Sequence, residues 1–117
     1  MPRVATPTPL PVRRALRTIG TQLATWRRLR RLTAAQVADR AGVARSTVVA
    51  LETGHGATLE NTLRVARALG VLDLIAQAAD PYETDLGRAR AAEDLPQRVR
   101  TGPARRATAG RRGTPDG

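Results

Sequence analysis

Residues 33–54 read TAAQVADRAGVARSTVVALETG, and the fold turns on this stretch. Thr33 is a good N-cap for a short helix, and Gln36 three residues on completes a capping box. Val37, Ala38 and Ala41 fall on one face of that helix. Gly42 supplies a sharp exit that needs positive φ or close packing. After Gly42-Val43-Ala44 a second helix spans about residues 45–53, with Val48 and Leu51 as its inward pair and Gly54 and Gly56 at its end. Small Ala38 lets the two helices approach, and Val43, Val48 and Leu51 fix their angle. Two short helices joined by so tight a turn make a helix-turn-helix, whose second helix is built to enter a major groove N-terminus first. The plainer alternative is an αα-hairpin within a helical bundle.

The neighbouring sequence extends the helical pattern both ways. Leu16, Ile19, Leu23 and Trp26 recur at spacings of three and four, predicting a helix of four or five turns from Arg13. Gly20 inside it costs about 1 kcal/mol relative to Ala. Residues 1–12 hold four prolines among small residues and read as a flexible arm. Downstream, Thr58 caps a helix over 59–69 with Leu59, Leu63, Ala66 and Leu69 inward, stopped by Gly70. A fifth helix over 71–79 ends before Asp80-Pro81. The expectation is an all-α, five-helix domain over residues 13–79, followed by a tail over 80–100. Residues 81–95 allow one further turn or helix before Pro96. Residues 101–117 contain no branched aliphatic side chain and read as a disordered basic tail.

Composition narrows the function. The 117 residues allow one small domain plus tails. Phe is absent and Trp and Tyr occur once each, so the core must be Leu, Val, Ile and Ala, which suits packed helices. Twenty basic residues, all Arg, face ten acidic ones, a net +10 that predicts a polyanionic partner, most often nucleic acid. Residues 13–54 concentrate nine Arg against only Asp39 and Glu52, whereas residues 58–94 are net acidic. With no Cys and one His, disulfides, zinc fingers and thiol chemistry are excluded, and no metal, cofactor or catalytic residue is expected. Glu93 and Asp94 are sequence neighbours, not a positioned dyad. No apolar run approaches the ~18 residues of a membrane span, and prolines break the N-terminal stretch a signal peptide would need. The expected setting is cytoplasmic, and the expected class non-enzymatic.

One pattern of residues then resembles a known family. Arg27, Leu32-Thr33, Val37-Ala38, Ala41-Gly42-Val43, Arg45-Ser46-Thr47-Val48, Leu51-Glu52-Thr53-Gly54, Leu63 and Ala68-Leu69-Gly70 stand at ordered spacing. Residues 19–70 thereby resemble the Xre family of lambda-repressor-like helix-turn-helix domains. The resemblance implies a five-helix bundle that binds double-stranded DNA, usually as a homodimer on a palindromic operator. It implies groove-facing positions at Arg45, Ser46, Thr47 and Ala50, and a structural ion pair between Arg27 and Glu52. Gln36, Val49, Thr53 and His55 complete the expected DNA-binding set, together with Ala34. Family members usually carry at that position a Gln that helps clamp a phosphate; here Gln36 lies two places later. Arg45 is the one long donor suited to bidentate pairing with guanine, while Val49 and Ala50 suit thymine methyls.

The tail carries a second pattern, Gly87-Arg88-Ala89-Arg90 and Leu95-Pro96-Gln97-Arg98-Val99-Arg100. It is similar to tails of HipB-type antitoxins encoded beside HipA-type serine/threonine kinases. That resemblance implies an autorepressor that also binds a toxin kinase through Arg88, Arg90, Leu95, Arg98, Val99 and Arg100. Three readings stay open at this point: an antitoxin-repressor, a plain Xre-type repressor, and a nonspecific nucleic-acid-binding scaffold.

Overall fold

The computed structural model describes the backbone of residues 6–101 and the side chains of residues 6–93. Every regular element among them is helical: α1 (Leu10–Leu29), α2 (Ala34–Ala41), α3 (Arg45–Glu52), α4 (Leu59–Leu69), α5 (Leu72–Ala78), a 3-10 turn (Pro81–Glu83) and α6 (Asp85–Thr101). The class is all-α, with six α-helices where five were expected. The chain divides into two compact units, one reaching Ile75 and the other starting at Ala76.

The first unit is built on side chains no larger than Leu. Leu23, Val37, Ala38, Ala41, Val48, Leu51, Val65, Ala66, Leu69 and Val71 form its core, with Trp26, Leu32, Val43 and Ile75 packed around them. α2 packs on both α3 and α4, and α1 lies mainly on α3. Two of these helices end alike. Gly42 and Gly70 are both left-handed C-caps, and the N–H of the following Val43 or Val71 returns to the carbonyl of Ala38 or Ala66 at 3.0 and 2.9 Å. Val71 is buried at 3% exposure and Val43 packs against the core. Each Gly-Val pair thus satisfies end-of-helix carbonyls and sends an apolar side chain back inward.

Several expectations shift. α1 starts at Leu10 and not at Arg13, because Pro11 in a first turn needs no N–H partner and already has a helical φ. The Arg13 N–H bonds the Pro9 carbonyl at 3.0 Å. Ile19 and Leu59, both expected inward, are 45% and 72% exposed. The buried face of α4 is Val65, Ala66 and Leu69, since apolar periodicity marks a stripe but not how far along it neighbouring helices reach. Gly20 is the reverse case. Its missing side chain lets α1 lie directly on the carbonyl oxygens of Leu51 and Glu52, so a local weakness in the helix is a packing requirement of the domain.

The second unit is held by polar bonds; none of its described residues joins the buried apolar set. Asp80 accepts from the Tyr82 N–H at 2.9 Å. Thr84 donates to the Pro81 carbonyl at 2.6 Å and accepts from the Gly87 N–H at 3.0 Å, capping α6. Gly87 sits against Pro81, whose carbonyl occupies the space a side chain would need. The α6 backbone stays helical past Pro96, where a stop was expected; Ala, Arg and Glu dominate the turns before it and favour helix strongly enough to carry through.

Candidate nucleic-acid interface

The recognition unit is fixed from three sides before any exposed residue is considered. At its start, the Thr33 hydroxyl accepts from the Gln36 N–H at 3.1 Å and the Gln36 side-chain oxygen accepts from the Thr33 N–H at 2.9 Å. This reciprocal box anchors the N-terminus of α2. In the middle, Gly42 at φ 72° makes the turn, a conformation costly for residues with a Cβ. At the far end, Arg27 forks onto Glu52: Nε to Oε2 at 2.6 Å and Nη2 to Oε1 at 3.0 Å. Arg27 Nη1 also donates to the Leu32 carbonyl at 3.0 Å.

That guanidinium therefore ties α1, the last residue of α3 and the link before α2 together. The two side chains are 16% and 15% exposed. The hydrogen bond to Glu52, reinforced by its charge, raises the Arg27 pKa above the ordinary arginine value despite the opposing effect of burial. All three donors face protein acceptors, which places Arg27 in the framework.

α3 turns Val48 and Leu51 into the core at 0% and 4% exposure. Its other face presents Arg45, Ser46 and Val49 as exposed residues, with Thr47 and Ala50 half-buried between them. Thr53 follows, donating its hydroxyl to the Val49 carbonyl at 2.7 Å, and His55 Nδ1 stands 2.9 Å from the Thr53 hydroxyl oxygen. A hydroxyl has one proton to give, so with that proton on Val49 it is the imidazole Nδ1–H that donates to Thr53. The His55 N–H also bonds the Ala50 carbonyl at 2.9 Å, holding the ring against the end of α3. Gln36 is exposed on α2, its oxygen spent on the capping box. Ala34 is half-buried and packs against the core.

One residue counted only as charge in the sequence has a specific task. Arg30 donates Nε to the Leu69 carbonyl at 3.0 Å and lies 5.6 Å from the centroid of the Trp26 ring. It caps the C-terminus of α4, where a cation also complements the helix dipole. Arg spaced four residues after Trp was the available clue, but nothing local pointed to Leu69. With Arg27 and Arg30 occupied, Arg13, Arg14, Arg17, Arg28, Arg31, Arg40 and Arg45 are exposed, and none forms an ion pair among the described residues.

The tail residues divide differently. Arg88 donates Nη1 to the Tyr82 carbonyl at 2.7 Å and Nη2 to Asp85 at 2.8 Å. Together with the tight seat of Gly87, this gives the Gly87-Arg88 pair an internal explanation. Arg90 is exposed. Leu95, Arg98, Val99 and Arg100 have side chains outside the described residues. Among the described residues no cluster of His, Asp or Glu could hold a metal ion, and no helix is long and apolar enough to cross a membrane.

Residues 23–74 match the family model described as helix-turn-helix, a span running from the middle of α1 into α5. The match supports an Xre-like helix-turn-helix over that span and, with it, a DNA-binding regulator of transcription. No curated protein and no solved structure matches the chain.

Proposed function

We propose that the protein is a sequence-specific transcriptional regulator that lays α3 in the major groove of an operator. The observation that carries this is the outward face of α3: Arg45, Ser46 and Val49 exposed on a helix whose other face is wholly buried, in a span that matches a helix-turn-helix family. Arg45 reads guanine and Val49 and Ala50 meet thymine methyls. Gln36, Ser46, Thr47 and His55 hold the phosphate backbone on either side, with His55 seated against Thr53. Two copies of the chain read the two halves of a palindromic site, as paired helix-turn-helix domains do. The exposed Leu59, beside Leu63 and Leu72 on α4 and α5, supports pairing through this half of the first unit.

Selection of duplexes from a random library by the full chain, followed by nuclease protection at about 0.2 M salt, is the test. A discrete protected sequence is expected; uniform binding that collapses with salt would make the protein a nonspecific scaffold. The antitoxin role adds a kinase partner gripped by Arg90 and residues 95–100. Its support is the resemblance of the tail alone. Co-purification with the product of a neighbouring gene, using the full chain and a chain ending at Ala79, decides it. Equal capture by both chains refutes a tail site, and capture by neither refutes the partner.

A further inference from the structure

The first three turns of α1 precede the family-matched span, which opens at Leu23, and they carry an arginine cluster that the domain's own framework does not use. Arg13, Arg14 and Arg17 are exposed, and none makes a side-chain hydrogen bond or ion pair among the described residues. α1 contains no acidic residue over its 20 positions. Helix stability does not account for the cluster either, because cations near a helix N-terminus oppose the dipole. Two adjoining surface depressions share Arg14 and Arg17, one edged by Leu10 and Arg13, the other by Thr18, Thr21 and Gln22. Cationic forks stand there beside neutral hydroxyl and amide donors.

The position of the cluster says what it meets. A Cβ built on Gly54 would lie 3.1 Å from the Arg17 Cα, and one on Gly56 would lie 3.6 Å from the Leu16 side chain. This half of α1 therefore runs against the chain just as it leaves α3, next to Thr53 and His55. A duplex lying along α3 carries its sugar-phosphate strand past that exit.

We infer that Arg13, Arg14 and Arg17 form a phosphate clamp on the DNA backbone flanking the α3 contact, lengthening the bound site beyond what the helix-turn-helix alone covers. The inference rests on the DNA-binding reading above. Three arginines on phosphates add affinity and salt dependence without base preference. An anionic membrane surface is the rival partner, because Leu10, Val12 and Ile19 are about half exposed on the same helix.

The test titrates the full chain against a labelled random-sequence duplex of about 30 base pairs, from roughly 50 to 200 mM salt, with and without Arg13→Gln/Arg14→Gln/Arg17→Gln. Each phosphate contact contributes about 0.9 to the slope of log K against log salt, so the triple variant is expected to flatten that slope by about 2–3. Arg13→Lys/Arg14→Lys/Arg17→Lys should restore most of the slope, since phosphates accept a point charge; this control separates lost contacts from a weakened helix. An unchanged slope in the Gln variant overturns the clamp while leaving α3 docking intact. Failure of the wild-type chain to bind any duplex overturns the DNA-binding reading itself. Binding to vesicles containing phosphatidylserine that the Gln variant abolishes, with the duplex slope unchanged, reassigns the cluster to membranes and also overturns the clamp.

Discussion

Residues 20–54 and residues 80–93 use the same materials, a glycine, an arginine and a threonine cap, to different ends. In the first stretch these devices surround a buried apolar face, so the polar groups left over on α3 are free for an outside partner. In the second there is no buried face, and the devices are the structure: Thr84 caps, Gly87 admits the Pro81 carbonyl, and Arg88 binds Tyr82. A glycine-arginine pattern thus points to a binding site only once the work it does within its own chain has been subtracted.

The sharpest way to break that contrast is to put a side chain on each glycine. Gly20→Val forces α1 off the carbonyls of Leu51 and Glu52 and is expected to destabilise the first unit by about 3 kcal/mol or more, as severe overpacking does. Gly87→Val should leave that unit's melting unchanged and lower helicity only in the second. Circular dichroism melts of the two variants give the comparison, and equal loss of the first unit's transition would erase it.

Next comes the framework pair. Arg27→Ala strands Glu52 and should cost about 2 kcal/mol, below the ~3–5 kcal/mol of a fully buried pair because both groups retain some solvent. The Arg27 pKa is raised, so the pair's contribution is fully present below the ordinary arginine value and fades only as pH climbs through the folded one. The melting difference between wild type and Arg27→Ala should therefore stay constant from about pH 7 to about pH 10. A variant that melts normally but no longer binds DNA would move Arg27 from framework to interface.

Arg45→Ala should cost ~1–3 kcal/mol of operator affinity, as for one bidentate base contact, with no change in melting. Gel-shift titration on selected and scrambled duplexes checks it; equal loss on both assigns Arg45 to phosphate. Arg88→Ala is the smallest expected effect. It removes a solvent-exposed bond to the Tyr82 carbonyl, about 0.5–1.5 kcal/mol and local to the second unit. DNA affinity should not move, and a drop would mean that α6 takes part in docking.

Much of this was legible in the sequence wherever a feature is local. The capping box at Thr33 and Gln36, the turn at Gly42, and Val48 and Leu51 facing inward all follow from spacing within a few residues. The Arg27–Glu52 pair came from the resemblance, because 25 residues separate its members. What escaped was long-range: Gly20 against Leu51, Arg30 reaching Leu69, and Leu59 left outside although its periodicity fits. The tail runs in the other direction. Gly87 and Arg88 looked unexplained in one dimension because Pro81 and Tyr82, which explain them, are ordinary residues with no pattern of their own.

The placement of the two large aromatic rings has a practical consequence. Trp26, the only tryptophan, packs against the core of the first unit, and Tyr82, the only tyrosine, sits in the second; phenylalanine is absent. Each unit thus carries a single chromophore of its own. Excitation at the red edge of the indole band reports on the first alone, and the tyrosine emission that appears only on excitation at shorter wavelength reports on the second. Whether the units unfold in one event or two can be read from the unlabelled chain.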